Sequence, residues 1–241
     1  MSHNELLAML SLAGMFGLFC FGFPIAYTML FAGLLFGFLG IGKLVFYLLT
    51  VQFYQVMSDT VQVAIPFFLV MGYLLEGAGL MERLFSAFQK LFARLPGSLY
   101  MAVISTGTIF AAATGIVGSS VNLLCVMAEP TMRKGGYDIR MGAGSIAASG
   151  TLGILIPPSI MLVILGPIVG VPVTDLFISA VIPGLLLAFL YIGYSLIKCA
   201  IWPKYGPPLP PELRPHSLAE VLKELLVGAI PLLVLIFSVL G

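Results

Sequence analysis

Long stretches of this chain carry no charge, and that feature restricts what it can fold into more than any other. No Asp, Glu, Lys or Arg occurs between Glu5 and Lys43, between Arg94 and Glu129, between Arg140 and Asp175, between Asp175 and Lys198, or beyond Glu224. A run of roughly 20 apolar residues is enough to cross a hydrocarbon core of about 30 Å. A soluble fold needs a charged shell that this sequence does not supply. Its residues are 60% hydrophobic and 9% charged, against roughly 45–50% and 25% in soluble globular domains. The expectation is an all-α polytopic membrane protein. The first apolar run has no Lys or Arg before it and no small-residue cleavage site, so it reads as a retained span and not a signal peptide.

The same inventory excludes several function classes. The formal net charge is +1, with no basic run and no aromatics interleaved with Lys or Arg, so nucleic acid is not a partner. Cys20, Cys125 and Cys199 sit far apart in apolar stretches. They suggest neither a metal site nor a disulfide framework, and read as small buried hydrophobes. His3 and His216 lie in polar ends. No nucleophile has a base at motif spacing and no Gly-rich phosphate loop precedes a Lys, so an enzyme is not expected.

Residues 6–22 and 25–42 make two spans, split at Phe23-Pro24. Residues 43–60 either lie along the interface or form a short tilted helix. Residues 61–80 form another span, carrying Pro66 and Glu76. In 82–94, Leu84, Phe85, Phe88, Leu91 and Phe92 recur at helical spacing among Arg83, Lys90 and Arg94. That pattern suits a helix in the headgroup region, or an ordinary loop helix between spans.

Residues 98–132 are too long for one crossing. A continuous helix of that length would extend about 50 Å. Its middle, Ala113 through Ser120, is a cluster of small and polar residues. Basic residues flank it on both sides, Arg83, Lys90 and Arg94 before and Arg133, Lys134 and Arg140 after, and basic flanks stay cytoplasmic. The segment must enter and return, which predicts a re-entrant hairpin with its tip at 115–120. Residues 141–170 contain Pro157-Pro158, which remove two amide donors. Unwound backbone at membrane depth is tolerated only where it lines an enclosed or watery cavity, so this is one span made of two half-helices. Residues 176–197 form a further span interrupted by Pro183-Gly184, 198–223 a partly extended cytoplasmic connector, and 225–241 a span kinked near Pro231. Counting back from the cytoplasmic flanks puts the N-terminus outside.

A hairpin tip and a broken helix offer free backbone groups inside a membrane. Half-helix C-terminal carbonyls coordinate Na⁺, and N-terminal amides attract anions. Thr114, Ser119, Ser120, Asn122 and Thr151 add side-chain oxygens, and Gly150, Gly153 and Ile156 add carbonyls near the prolines. Without a charged ligand such a site binds a cation weakly, which suits release on every cycle. The structural alternatives are a close helix contact at Gly118-Ser119-Ser120 and a plain kink at the prolines. Asp59, Glu76 and Asp175 are candidates for a proton path, or acids at span ends near headgroups.

Three stretches carry a family resemblance: Gly118-Ser119-Ser120-Val121-Asn122, the run from Pro130 to Asp138, and Ala147 through Ile160 with its Gly-Thr-Leu-Gly-Ile-Leu-Ile-Pro-Pro-Ser core. With Ala64-Ile65-Pro66-Phe67-Phe68, Leu176-Phe177 and Ile182-Pro183-Gly184, the chain resembles the large membrane subunit of tripartite ATP-independent periplasmic (TRAP) transporters over nearly its whole length. The resemblance implies an elevator mechanism with two inverted repeats, in the bacterial or archaeal inner membrane. It implies a small four-helix membrane subunit and a periplasmic solute-binding protein that delivers an organic anion, often a carboxylate. It also implies Na⁺ as the coupling ion, no cofactor, and contact with membrane lipid.

By that resemblance residues 1–97 are scaffold-type helices and 98–197 a transport-type region, with hairpin 98–132, broken helix 139–170 and span 175–197. Residues 198–224 connect to a second repeat beginning at 225. Ser119, Ser120 and Asn122 from the tip, with Gly153, Ile156 and Pro158 from the break, become the implied Na⁺ site. Thr114, Gly118, Gly150, Thr151 and Ser159 become the substrate-side candidates. The family's large subunit is nearly twice as long, so one sodium site and half a substrate site are expected, and no transport by the lone chain, whether it is a truncated product, a split-gene piece or a fragment. The competing readings are another ion-coupled transporter or channel, and a non-transporting membrane scaffold.

Overall fold

The structure, a computed structural model, describes residues 3–59, 61–115, 117–208 and 218–240. Every regular element among them is helical. By internal contacts the chain divides at residue 60 into two units, Met1–Thr60 and Val61–Gly241. The contact boundary therefore falls well before residue 97.

The first unit holds α1 (His3–Cys20), α2 (Ile25–Ile41) and α3 (Leu44–Ser58). Gly22, at φ +82, turns the chain between α1 and α2, and glycines let these helices approach. A Cβ added to Gly14 would lie 3.3 Å from the Phe36 ring, and one on Gly37 would lie 2.7 Å from Val45 Cγ2 of α3. Phe38 and Phe46 join α2 to α3 with ring centroids 6.1 Å apart. Large apolar side chains such as Phe16, Tyr27, Phe31 and Tyr54 point outward, the arrangement of helices solvated by lipid tails. Within residues 43–60 the structure has a regular helix packed on α2.

The second unit comprises α4 (Ala64–Gly77), α5 (Leu80–Leu91), α6 (Ser98–Thr114), α7 (Val117–Lys134), α8 (Ile139–Leu155), α9 (Ile160–Val169), α10 (Val173–Ile201), a 3₁₀ turn (Pro203–Tyr205) and α11 (Leu218–Leu240). Among the described residues α10, with mean hydropathy 2.3 over its best window, is long and apolar enough to cross a membrane alone. The pairs α4–α5 and α8–α9 reach that length together, bent by 59° and 43° at their breaks.

Small residues bring the central helices together. A Cβ on Gly107 of α6 would meet Ser149 Cβ of α8 at 2.6 Å, and one on Gly150 of α8 would meet Val121 Cγ2 of α7 at 2.1 Å. Around this contact Tyr100, Val103, Phe110, Leu124 and Ile146 form a continuous buried core with Met81, Leu84, Phe85 and Phe88 of α5.

Three expectations change here. The apolar stripe of α5 does not face lipid. It packs on α6 and α11, where a Cβ on Gly228 would lie 3.2 Å from Leu84 Cδ2. Periodicity finds such a face, but whether lipid or protein covers it depends on α11, which is distant in sequence. The span holding Pro183 is not interrupted, since α10 runs through it to Ile201. One proline removes one ladder hydrogen bond, and Gly184 beside it accommodates Ile156, whose Cγ1 would lie 2.7 Å from an added Cβ. The connector is shorter than expected, because α10 extends into it and α11 begins at Leu218. Residues 209–217 lie outside the described residues. Lys90 Nζ and Glu224 Oε2, 2.6 Å apart, tie α11 to α5. α11 continues through Pro231.

Candidate functional site

The hairpin is fixed by contacts at both of its ends. At the tip, the Thr114 and Ser120 hydroxyls lie 3.2 Å apart across the turn between α6 and α7. At the open end, Ser98 Oγ at the start of α6 lies 3.0 Å from the hydroxyl of Tyr137, just past α7. The two helices are therefore antiparallel, and the segment returns to the side it left. At 17 residues α6 is about 25 Å long, short of a full crossing.

The open end is a knot of helix ends. The Tyr100 hydroxyl lies 2.7 Å from the carbonyl of Tyr205 and 3.0 Å from that of Asp138. The Tyr137 hydroxyl donates to the Pro207 carbonyl at 2.6 Å and accepts from Leu99 N at 3.4 Å. The two rings meet edge to face at 4.9 Å. Burial holds the Tyr137 hydroxyl above its ordinary pKa. Backbone bonds from Gly97 N to Gly206 O and from Asp138 N to Tyr205 O complete the join. Arg133, Lys134, Arg140, Lys198 and Lys204 all lie near this end in the chain, the pattern the positive-inside rule associates with a cytoplasmic face.

The tip lies on the broken helix. Gly115 adopts φ +62, a left-handed conformation costly to any other residue. A Cβ there would sit 3.1 Å from Ile160 N and 3.2 Å from Pro158 O. Here α8 has ended at Leu155, Ile156 is extended at φ −85 and ψ 123, and α9 starts at Ile160. Pro157, four residues beyond Gly153, has no N–H to offer its carbonyl. Ser159 Oγ donates to the Ile154 carbonyl at 2.8 Å, replacing the donor missing at Pro158. No side chain caps the first turn of α9. Carbonyls ending one half-helix and amides opening the next thus converge beneath the tip, with partial charges of opposite sign.

The sequence-derived residues separate into two groups. Thr114 and Ser120 are buried and adjoin at the tip, and Gly153, Ile156, Pro158 and Ser159 are buried at the break. Ser119 is half-buried. Gly118 is exposed, with open space where a Cβ would project. Asn122 is exposed on α7, and Thr151 is exposed with its hydroxyl on the Ala148 carbonyl at 2.7 Å. Neither joins the buried group. Gly150 serves the contact with Val121, and it lies within α8, where helical geometry pairs its carbonyl with residue 154.

Two participants emerge from the structure. Gly115 makes the close approach of tip to break. Glu76, read from sequence as a proton-path candidate or a span-end acid, accepts a 2.6 Å hydrogen bond from Ser119 Oγ. Its signal was its isolation in an apolar stretch. Asp175 stands exposed in the first turn of α10, and Asp59 ends α3 in the first unit.

The family described as "Tripartite ATP-independent periplasmic transporter, DctM component" matches residues 12–241. The chain is 33% identical over 177 residues to the C4-dicarboxylate TRAP transporter large permease protein DctM of Pseudomonas aeruginosa, covering 73% of this chain and 41% of that one. It is 30% identical over 190 residues to the sialic acid TRAP transporter large permease protein SiaM of Vibrio cholerae, covering 78% and 44%. It is 29% identical over 174 residues to the 2,3-diketo-L-gulonate TRAP transporter large permease protein YiaN of Escherichia coli, covering 69% and 39%. The chain thus spans under half the length of these relatives. Apolar helices in such a family are those of a multi-pass protein of the bacterial inner membrane. Because the match runs through the hairpin and the broken helix alike, the chain belongs to the DctM component family of tripartite ATP-independent periplasmic transporters, which are permeases and not enzymes.

Proposed function

We propose that this chain supplies the first repeat of a permease for Na⁺-coupled uptake of an organic anion, with an elevator mechanism and a second, inverted repeat opening at α11. A periplasmic solute-binding protein delivers the anion, and a small four-helix membrane subunit accompanies the permease. The observation that supports this reading above the others is the seating of Gly115 on the Pro158–Ile160 backbone. It gathers under one tip the oxygens a hard cation needs, from the C-terminal end of α8 and from Thr114 and Ser120. It also sets the amides of α9 where an anion would be held. The three relatives are named for C4-dicarboxylate, sialic acid and 2,3-diketo-L-gulonate. Each of these bears a carboxylate, which favours that class for this chain.

The test is thermal unfolding of the purified chain in nanodiscs, in NaCl against KCl and choline chloride. Na⁺ alone raises the midpoint, and Ser120→Ala removes the rise. In proteoliposomes holding this repeat joined to a second repeat, with the partner subunits, dicarboxylate uptake collapses when the Na⁺ gradient is dissipated. Equal midpoints in the three salts, together with uptake indifferent to Na⁺, would sink the reading. The Glu76–Ser119 contact supports one other coupling ion, the proton. Under that reading uptake survives Na⁺ replacement, follows the pH gradient, and is lost in Glu76→Gln.

A further inference from the structure

At the cytoplasmic end of the second unit, a cleft of about 710 Å³ opens between the start of α8 and the end of α10. Its mouth carries Arg140 from the first turn of α8 and Lys198 from the last turn of α10. Among the described residues neither takes part in an ion pair, the pairs present being Lys90–Glu224 and Arg133–Glu129. Lys198 Nζ lies 3.0 Å from the Tyr194 hydroxyl and 5.3 Å from the centroid of the Tyr205 ring, at the exposed rim of the cleft. Asp138 also lines the mouth, but one of its carboxylate oxygens is committed to capping α8 through Met141 N at 2.8 Å. Two cations therefore face one partly engaged acid.

Away from the mouth the lining is mostly apolar, with the Ser195 hydroxyl and that of Ser145, the latter already on the Gly142 carbonyl at 2.8 Å, among it. Gly144 and Ala148 of α8 form one wall, with Ile104 of α6 and Tyr191 of α10 opposite. From Arg140 to Ala148 the wall runs about 12 Å along the helix axis. A charged mouth continued by an apolar furrow fits a molecule with an anionic head and a hydrocarbon tail. A small soluble anion would leave the furrow empty. We propose that this cleft binds an anionic phospholipid of the cytoplasmic leaflet, its phosphate between Arg140 and Lys198 and one acyl chain along Gly144 and Ala148. That leaflet is where basic pockets between helices meet acidic headgroups. Occupancy would brace α8 against α10, the helices that carry the break and its neighbour Gly184.

The experiment uses the full chain in nanodiscs of phosphatidylcholine with increasing phosphatidylglycerol, read by native mass spectrometry and by thermal midpoint. The wild type retains phosphatidylglycerol and its midpoint rises. The double variant Arg140→Gln/Lys198→Gln loses about thirtyfold in lipid affinity, the scale of two headgroup-facing cations. The double variant Arg133→Gln/Lys134→Gln removes the same charge from the same end, outside the cleft, and retains the lipid. Equal losses in the two double variants would reduce the effect to general surface charge and overturn the site. A midpoint rise produced equally by inorganic phosphate or succinate in pure phosphatidylcholine discs would assign the cleft to a soluble anion and overturn the lipid proposal. Gly144→Leu separates the sources further, since it blocks the furrow and lowers lipid retention while leaving the mouth intact.

Discussion

The open end of the hairpin and its tip are built from different materials. The open end is aromatic and saturated with hydrogen bonds. Tyr100 and Tyr137 are buried, their rings touch, and their hydroxyls engage the carbonyls of Asp138, Tyr205 and Pro207. The tip is made of Gly, Ser and Thr against a stretch of backbone that prolines have stripped of donors. Saturation rigidifies, because breaking any one bond strands its buried partner at a cost of about 1–3 kcal/mol. At the tip the Thr114 hydroxyl is bonded to the Phe110 carbonyl and lies beside Ser120, while at the break the prolines offer no donor to the carbonyls four residues before them. The comparison teaches that the hairpin is anchored by aromatic hydrogen bonding at its open end and by small residues on proline-broken backbone at its tip.

The sharpest way to break that contrast is at Gly115. Gly115→Val adds a side chain at φ +62 and places its Cβ 3.1–3.2 Å from backbone that cannot rotate away. The left-handed conformation alone costs about 1–2 kcal/mol. The tip should lift from the break, with complete loss of the Na⁺-dependent midpoint shift, while tyrosine fluorescence from the cytoplasmic knot stays native. A retained Na⁺ response would show that the junction is not the cation site.

The converse variant is Tyr137→Phe, which strands Leu99 N and the Pro207 carbonyl and should destabilise the unit by about 1–3 kcal/mol. Denaturant unfolding in detergent measures it, and the Na⁺ shift of the remaining folded protein should be unchanged. If the Na⁺ response fell in parallel, anchoring and binding would not be separable functions of the two ends.

Glu76→Gln is a smaller change, because the amide can still accept from Ser119. The carboxylate, by accepting that hydrogen bond, enriches the Ser119 oxygen toward any cation it faces. Na⁺ affinity from a titration of the midpoint should weaken by a few-fold, with the Na⁺-free midpoint unmoved. A large drop in the Na⁺-free midpoint would make Glu76 a structural tie.

The mildest effect is alkaline loosening of the knot. The folded state holds the Tyr137 hydroxyl above its ordinary pKa by burying it. Its contribution is therefore complete below about pH 10, where the unfolded phenol is still protonated, and is lost as pH rises through the higher folded value. A midpoint that declines above pH 10 in the wild type and less steeply in Tyr137→Phe would confirm it. Parallel declines would place the alkaline sensitivity elsewhere.

Much of the second unit was legible from local rules. Length against bilayer thickness, with basic residues on both flanks, required the hairpin, and its tip lies where small residues crowd the sequence. Pro157-Pro158 ended α8 within two residues, because missing amides act locally. Asn122, a candidate for the cation, and Thr151, a candidate for the substrate side, are turned outward by α7 and α8, a placement local rules do not give, because which face of a helix is buried depends on its neighbours. Glu76 shows the opposite failure, since its partner Ser119 is 43 residues away. The amphipathic stripe of α5 was visible, but its cover, α11, was not.

What the sequence determined by itself is the solvent and the breaks. The scarcity of charge selects helices that cross or enter a membrane, and Gly, Ser and Pro mark where those helices cannot continue. These are short-range consequences of hydration cost and backbone geometry. Only the tertiary structure decided which breaks meet. That Gly115 rests on Pro158–Ile160, that Glu76 reaches Ser119, and that Arg140 and Lys198 share one cleft all depend on close packing between helices distant in the chain. Gly107, Gly150 and Gly184 permit those approaches, and no rule read along a single segment assigns their partners.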